Sequence, residues 1–302
     1  MKSSSYSSHI SKKEEDDHGI HERDKKTPRK YSKYAADHQS MKLVSTVKLQ
    51  KARMRAENSK AYFEYMYQTV TSMLAKAGNI EHPYLRKSDS KNVAVVAVTS
   101  NRGLAGGYNA NIARLIVESG IEKERIRLYT VGRKGVESLA RKGYQIAEDY
   151  SDIIDEPTYA DARRIGERLL DDFSKGEVGE IYVAYTEFKN TVSHIPKLMK
   201  LLPVSAETVP AEEKKESVLM NFEPNEEEAI SLLIPKYMTS ILYGAFVEAV
   251  ASENGARMQA MDSATNNAEE IIDDLELKYN RARQGAITQE LTEIIAGAEA
   301  IG

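Results

Sequence analysis

The sequence predicts an α/β fold: a long antiparallel coiled coil of the N- and C-terminal helices with an inserted Rossmann-like α/β domain. Apolar residues such as Met41, Val44 and Val47 recur at helical spacing, and a second such stretch runs without proline from Lys236 to Ala300. A helix of that second length, roughly 95 Å at about 1.5 Å per residue, needs a partner along it. Between the two stretches, apolar strands alternate with amphipathic helices, which is typical of a mainly parallel sheet.

Composition and pattern divide the chain into four regions. The first is rich in Ser, Lys, Asp, Glu and His without sustained periodicity, which predicts a disordered tail. Pro235 is expected to end a short first helix in the last region, because a proline inside a helix loses a hydrogen bond. The regions are a tail at 1–40, an N-terminal coiled-coil helix at 41–90, the α/β domain at 91–215 and a C-terminal coiled-coil helix at 216–302.

The α/β region contains three clear strand patterns, NVAVVAVTS, RIRLYTVG and EIYVAYTEFKN, and KLMKLLPVS suits a further edge strand. Helical patterns lie between them: NIARLIVESG, RKGVESLARKG and TYADARRIGERLLDDFSKG. The last is closed by Gly176, a residue type common just past a helix end.

Composition excludes several classes of site. The 302 residues include no cysteine, so disulfides, thiolate metal sites and cysteine nucleophiles are absent. The net charge of −4 does not indicate a nucleic-acid or membrane partner. No apolar run is judged long enough to span a bilayer. No Ser/His/Asp set or pair of catalytic carboxylates is evident, and we expect no catalytic residue, metal or cofactor.

The glycine-rich turn TSNRGLAGGYNANI, Thr99 to Ile112, follows a strand and opens a helix, as phosphate-binding loops do. Its glycines do not fit G-x-G-x-x-G, and Tyr108-Asn109 replaces the G-K-S/T of a P-loop. A tight strand-to-helix connection, with Asn109 capping the helix, is the simpler interpretation.

Two charged runs on the long helices could either bind a partner or form an ordinary solvated helix surface. The basic residues of the first helix lack the interleaved aromatics of a nucleic-acid site, so an acidic protein partner suits them better. The acidic run of the last helix could hold a cation but is more typical of a solvated face; its members are Glu269, Glu270, Asp273, Asp274 and Glu276.

Several stretches resemble the gamma subunit family of the F-type ATP synthase. The closing ITQELTEIIAGAEA resembles that family's terminal signature, and SENGARMQAMDSATNNA and MKLVSTVKLQKAR resemble segments of its two long helices. The glycine turn resembles the family's own turn at the same place. The similarity covers Met41 to Gly302, with small departures at Asn254 and Gly255, where the family often has bulkier or more helix-favouring residues.

The resemblance implies a non-catalytic central rotor shaft that couples ion flow through a membrane ring to ATP synthesis or hydrolysis. Its implied partners are the alpha, beta and epsilon subunits and the c-ring, at the cytoplasmic face of a bacterial plasma membrane, without nucleic acid. The glycine turn is then expected to hold no nucleotide. The alternatives are an α/β nucleotide-binding enzyme and a free coiled-coil scaffold.

The resemblance also implies contact residues. Arg257 and Gln284 are expected to touch a loop of a beta subunit, with Arg257 and Glu290 exposed in the free chain. Met41, Thr288 and Glu290 are expected to lie together where the helices meet. The basic residues expected to face an acidic segment of beta are Lys42, Lys48, Lys51 and Arg53.

The first forty residues depart from the family, whose first helix has the form MxxMREIKRR…NTQQITKAMK. Lys33 to Ser40 can be encoded AAA TAC GCA GCA GAT CAC CAA AGC, which one base later encodes Asn-Thr-Gln-Gln-Ile-Thr-Lys. The same shift applied from Asp17 to Lys26 permits Met-Ala-Ser-Met-Arg-Glu-Ile-Lys. The resemblance therefore implies that residues 1–40 are a reading-frame artefact, caused by one A lost before the Met41 codon.

Overall fold

The computed structural model describes residues 4–76, 82–85, 89–204 and 226–300. Two long helices enclose a five-stranded α/β domain in chain order, and a short 3-10 turn precedes the second strand. The elements are α1 (Ser4–Lys76), β1 (Val93–Val98), α2 (Tyr108–Val117), β2 (Ile126–Val131), α3 (Arg133–Arg141), β3 (Gln145–Asp149), α4 (Tyr159–Ser174), β4 (Glu180–Phe188), β5 (His194–Leu202) and α5 (Glu226–Glu299).

The chain forms two compact units. One unit, residues 44–260, holds the sheet together with the adjoining parts of α1 and α5. The other unit consists of residues 1–43 and 261–302, which contain the remaining parts of the same two helices.

The sheet has the strand order β3-β2-β1-β4-β5. The pairs β1–β2, β1–β4 and β2–β3 are parallel, and β5 pairs antiparallel with β4 at one edge. The predicted mainly parallel sheet and its edge strand are thus confirmed. β3 is not predicted from the sequence, because its five residues, QIAED, include few apolar side chains and alternate in exposure.

Both faces of the sheet are covered, which is why β1 is apolar throughout and buried at all six positions. Val95 packs with the residues of α2 and α3 on one face, while Val96 faces α4 and the long helices on the other. Among the core residues, Phe246 and Leu242 of α5 are fully buried against this second face. The α/β domain therefore shares its core with the helix pair.

Within the larger unit the two long helices run antiparallel. Leu49 and Ala52 of α1 share a small apolar cluster with Ala251 of α5, and one ring farther along α1, Phe63, contacts Tyr243 edge-on. Residues later in α1 contact residues earlier in α5, as an antiparallel pair requires. In the smaller unit, Lys42 of α1 forms an ion pair with Asp262 of α5.

The helix α1 begins at Ser4 and so includes the region for which composition predicts disorder. The seven lysines of residues 1–40 favour helix by propensity, whereas a compositional argument for disorder weighs their charge. The buried side chains of α1 are Ser45, Leu49, Ala52, Val70 and Met73, among those that the structure describes. Val44 and Val47 are 57% and 68% exposed. Some of the apolar residues from which the helix is predicted therefore lie on its solvent-exposed face.

Pro235 does not end a helix but lies inside α5, which starts at Glu226. The neighbouring Ile234 and Met238 are buried in the core, and their burial outweighs the single backbone hydrogen bond that a proline removes. The predicted break is wrong because tertiary packing decides this segment. The acidic linker around AEEKKE and the boundary at 215–216 lie outside the described residues.

One part of α5 corrects the expectation that no segment is apolar enough to span a membrane. The helix segment Glu227–Glu299 meets the length and composition of a candidate span. Most of its apolar stretch is buried within the chain, as expected for the central helix of a protein core. Length and composition alone therefore carry no conclusion about a membrane here.

Candidate functional site

The glycine turn between β1 and α2 is held by side-chain hydrogen bonds to its own backbone. The Asn109 Oδ1 atom accepts from the Ser100 backbone N–H at 2.9 Å, and Asn109 Nδ2 donates to Ser100 Oγ at 2.8 Å. Asn109 does not cap α2, because the N-cap is Gly107, which makes no side-chain cap hydrogen bond. Asn109 instead ties the start of the turn to the start of the helix.

Gly132, which packs against Thr99 at the start of the turn, occupies a position where only glycine fits. Its φ is +114°, and an added Cβ would lie 2.2 Å from the Thr99 carbonyl oxygen. In addition, the Gly135 N–H donates to Thr99 Oγ1 at 2.8 Å. These glycines allow the end of β1 to pack against the start of α3, so the close approach is to backbone of the same chain.

The crevice in which Rossmann-like folds bind ligands is occupied by α5. That crevice lies beyond the carboxyl ends of the strands where the chain order reverses, here between β1 and β4. The Tyr108 hydroxyl, at the start of α2, donates to the Ala249 carbonyl at 3.2 Å, and the buried Ser252 Oγ donates to the Thr186 carbonyl at 3.0 Å. The start of α2 therefore packs against α5 at this end of the sheet.

Arg257 projects from α5 toward the same turn. Its guanidinium pairs with Glu253 at 2.7 Å, and its Nη2 atom lies 3.3 Å from the Gly103 carbonyl oxygen and 3.5 Å from that of Arg102. Its side chain is only 12% exposed. The expectation that Arg257 is exposed in the free chain is therefore wrong, because an internal carboxylate and the turn enclose it.

The Glu253 carboxyl is almost buried, and this governs its acidity. Burial raises the pKa of Glu253 and the charge of Asp155 raises it further, while the ion pair with Arg257 and the more distant Lys48 oppose the increase. Burial, with the nearby Glu253 charge, also raises the pKa of the Tyr108 hydroxyl. The ion pair with Arg257 therefore favours the ionised form of Glu253, against the effect of burial.

The basic residues of α1 already have partners within the chain. Lys51 pairs with Glu156 at 3.1 Å and Arg53 with Glu57 at 2.7 Å, both on exposed surface. Lys48 is exposed and contributes to the field at Glu253 and Glu156. Exposed pairs of this kind are weak, so the basic side chains stay available to an acidic surface.

The predicted contact residues near the end of α5 are exposed. Gln284, Thr288 and Glu290 all lie on the surface, where the Thr288 hydroxyl donates to the Gln284 carbonyl at 2.8 Å. The structure does not bring Met41 to them. Lys42 contacts Asp262, and Thr288 lies roughly 39 Å farther along the helix at about 1.5 Å per residue.

An exposed apolar stripe near the end of α5 was not identified as a contact surface in the sequence analysis. Ile287, Leu291 and Ile294 are 47%, 55% and 68% exposed at spacings of four and three residues, and the adjacent Ile295 is 60% exposed. The helical spacing was the available signal. Only the structure shows that no described part of the chain covers these side chains.

Comparisons with known proteins agree with this geometry. The ATP-synt family, described as ATP synthase, matches residues 38–301. The ATP synthase gamma chain of Lachnoclostridium phytofermentans is 63% identical over 268 residues, covering 87% of this chain and 92% of the relative. This chain belongs to the ATP synthase gamma chain family. A relative from Acetobacterium woodii, named as the sodium ion specific gamma chain, is 40% identical, with 87% of this chain and 92% of the relative covered.

Solved structures show that the fold is shared with the rotor of ATP synthases. A chain from the rotor of the Euglena gracilis mitochondrial ATP synthase matches with a TM-score of 0.66 at 16% identity, covering 89% of this chain and 99% of that one. A chain from the central stalk and c-ring structure of the Tetrahymena thermophila mitochondrial ATP synthase matches with a TM-score of 0.57 at 24% identity, covering 75% and 98%. The predicted fold class and family are thus confirmed.

Proposed function

We propose that this gamma chain is the non-catalytic central shaft that couples ion flow through a membrane ring to ATP synthesis or hydrolysis on alpha and beta subunits. The exposed apolar stripe of Ile287, Leu291 and Ile294 carries the proposal. A helix end with such a stripe needs a surrounding apolar surface, which a ring of subunits provides.

Coupling follows from the asymmetry of the helix pair. Helix α1 exposes basic residues, whereas α5 exposes polar and apolar residues near its C-terminal end. Each beta subunit around a turning shaft would meet a different surface at each angle. The shaft then favours one conformation in each subunit by binding the alternatives unequally, which is the only way that a contact can shift such an equilibrium.

The proposed contacts divide by charge and position. Gln284, Thr288 and Glu290 are exposed polar groups for loops of a beta subunit, and Arg257 joins them if it leaves its internal pair. The exposed or half-exposed basic side chains, proposed to face an acidic segment of beta, are Lys42, Lys48, Lys51 and Arg53. Salt should weaken this second set, since exposed charges are screened over about 8–10 Å.

The further partners proposed are the epsilon subunit and the c-ring, with the complex at the cytoplasmic face of a bacterial plasma membrane. The chain would associate with the membrane only through that complex. The named gamma chain relatives and the rotor fold support this placement.

Reconstitution tests the proposal. Adding the chain to alpha and beta subunits should stimulate ATP hydrolysis, and Glu290→Ala should lower the stimulated rate without unfolding the chain. Glu276→Ala, an exposed carboxylate on the same helix outside the proposed contacts, is the matched control. No stimulation by the unaltered chain would favour a free scaffold, and ATP binding by the isolated chain would favour a nucleotide-binding protein.

We also propose that residues 1–40 are read in a shifted frame. The family match begins at residue 38, close to the Met41 codon before which one A would be missing. Sequencing the gene tests this. A Ser40 codon of the TCN type, or a stop in the shifted frame between His18 and Ser40, would contradict it, whereas an AGC codon preceded by the letters for Asn-Thr-Gln-Gln-Ile-Thr-Lys is expected.

A further inference from the structure

Two aromatic rings from different elements lie over glycines of α5. An added Cβ at Gly244 would lie 2.9 Å from the Cδ2 atom of Phe63 in α1, and one at Gly255 would lie 2.6 Å from the Nε2 atom of His194 in β5. Each ring therefore occupies the space in which another residue would have its side chain. By contrast, an added Cβ at Gly285 of the same helix meets nothing within 4 Å.

Each ring is held from behind by further aromatic groups. The Phe63 ring contacts Tyr243 edge-on at a centroid distance of 6.0 Å, and Tyr243 in turn contacts Tyr159 of α4 at 5.8 Å. The His194 ring lies 6.1 Å from the ring of Phe188 in β4, which packs against the small apolar cluster of the two long helices. Moving either ring away from α5 would therefore disturb the packing of α4 or β4.

A ring over a glycine fixes the position of α5 along and about its own axis. Turning the helix would bring the side chain of Tyr243 or Ala245 against the Phe63 ring, because successive residues are about 100° apart around the axis. Sliding the helix would bring the side chain of Ile241 or Val247 against it, because residues three positions apart lie on one face. The ring therefore opposes both movements.

The second contact acts on nearly the same side of α5 as the first. From residue 244 to residue 255 is eleven residues, which is about 16 Å and close to three helical turns. Between them, Ala251 forms a small apolar cluster with Leu49 and Ala52 of α1. Alanine side chains offer little relief against sliding, so the two rings supply interlocking that this cluster lacks.

We propose that Phe63 and His194 are positioning residues that lock the register of α5 against α1 and β5, and that this lock makes the larger unit resist twisting while the shaft turns. The second part rests on the proposed function, because only a turning shaft loads the helix pair in torsion. The lock itself is a property of the free chain.

Distances between spin labels on the full free chain test the lock. Because the chain has no cysteine, labels can be placed specifically at Tyr65→Cys of α1 and Leu232→Cys of α5, two positions that are 70% and 67% exposed. The otherwise unaltered chain should give one narrow distance distribution. Gly244→Ala should shift or broaden it, and Gly285→Ala should not. Phe63→Ala, which removes the ring without adding a clash, should also broaden it and serves if Gly244→Ala does not fold.

Angular fluctuation of the assembled complex tests the role in rotation. With the alpha and beta subunits fixed to a surface in one nucleotide state, a bead on Val192→Cys, a 74% exposed position in the turn between β4 and β5, reports the twist of the shaft. The angular distribution should be wider in the double variant His194→Ala/Gly255→Ala, in which the removed ring leaves room for the added methyl group. Gly132→Ala, whose methyl group meets Thr99 rather than α5, should lower stability without changing the width.

The outcomes separate this proposal from the proposed function. Failure of the unaltered chain to stimulate ATP hydrolysis would contradict the proposed function, while broader label distances in Gly244→Ala would still support the lock. Unchanged label distances in both Gly244→Ala and Phe63→Ala would overturn the lock, and equal angular widths in an active complex would overturn its role in rotation. A change in both measurements supports the proposal, because the loss of stability in Gly132→Ala should produce neither.

Discussion

Gly255 of α5 and His194 of β5 pack so closely that a Cβ atom on residue 255 would lie 2.6 Å from the His194 Nε2 atom. Glycine inside a helix costs about 0.5–1 kcal/mol relative to alanine. Glycine is nevertheless the residue that fits here, because the ring of His194 fills the space that a side chain would need.

The first prediction is that Gly255→Ala destabilises the chain by about 1–3 kcal/mol, although alanine favours helix, because the imidazole has to move. In a His194→Ala background the same change should be neutral or stabilising. Urea unfolding of the four variants measures the coupling between the two positions. Additive effects would show that the imidazole does not limit position 255.

The second prediction concerns the glycines near the turn. Gly132→Ala should cost about 3 kcal/mol, since it combines an unfavourable φ of +114° with a Cβ 2.2 Å from the Thr99 carbonyl. Gly103→Ala, where an added Cβ meets nothing within 4 Å, is the matched control and should change the free energy of unfolding by less than about 1 kcal/mol. Equal costs would contradict the packing role assigned to Gly132.

The third prediction concerns close helix packing in the smaller unit. Ala268 is 6% exposed, so Ala268→Leu should overpack the helix pair and cost about 1–3 kcal/mol. Ala264 is half-buried and should tolerate the same change better, and the exposed Ala282 is the control. Thermal unfolding followed by circular dichroism measures all three. An unchanged unfolding temperature for Ala268→Leu would show that this position does not limit the helix spacing.

The fourth prediction is a pH dependence from His82. Its Nδ1 accepts from the Tyr84 N–H at 3.2 Å, and its Nε2 lies 2.8 Å from Ser231 Oγ. Burial lowers the pKa of His82 below its usual 6.5, while Glu227 partly opposes this. The unfolded chain therefore binds more protons than the folded chain as the pH falls through that value, so the free energy of unfolding should decrease on acidification.

His82→Gln should make this decrease smaller, even if it lowers stability at higher pH by weakening the contact with Ser231. Urea unfolding from about pH 8 to about pH 5 measures the slope. His194 is the comparison, because burial lowers its pKa as well and its own variant should remove a separate part of the slope. An identical slope in the unaltered chain and His82→Gln would contradict the assignment.

Local pattern alone determined most of the elements. The apolar run of β1, the strand patterns of β2 and β4, and the cap of α4 by Thr158 with Gly176 at a φ of +73° all follow from rules that act over a few residues. The long part of α5 after Pro235 also followed, since a long periodic stretch without a stop signal has to pair with another helix. Resemblance at the end of the chain then indicated the family before any contact was known.

Tertiary structure decided the rest, because it depends on contacts between distant parts of the chain. Pro235 stays within a helix because Ile234 and Met238 are buried. Arg257 is enclosed because the turn, although 154 residues away in sequence, lies 3.3 Å from it at the Gly103 carbonyl. A side chain's exposure and its internal partner cannot be read from helical spacing alone. The sequence therefore determined which elements form and which family they belong to, and the fold decided which charged groups are free to meet a partner.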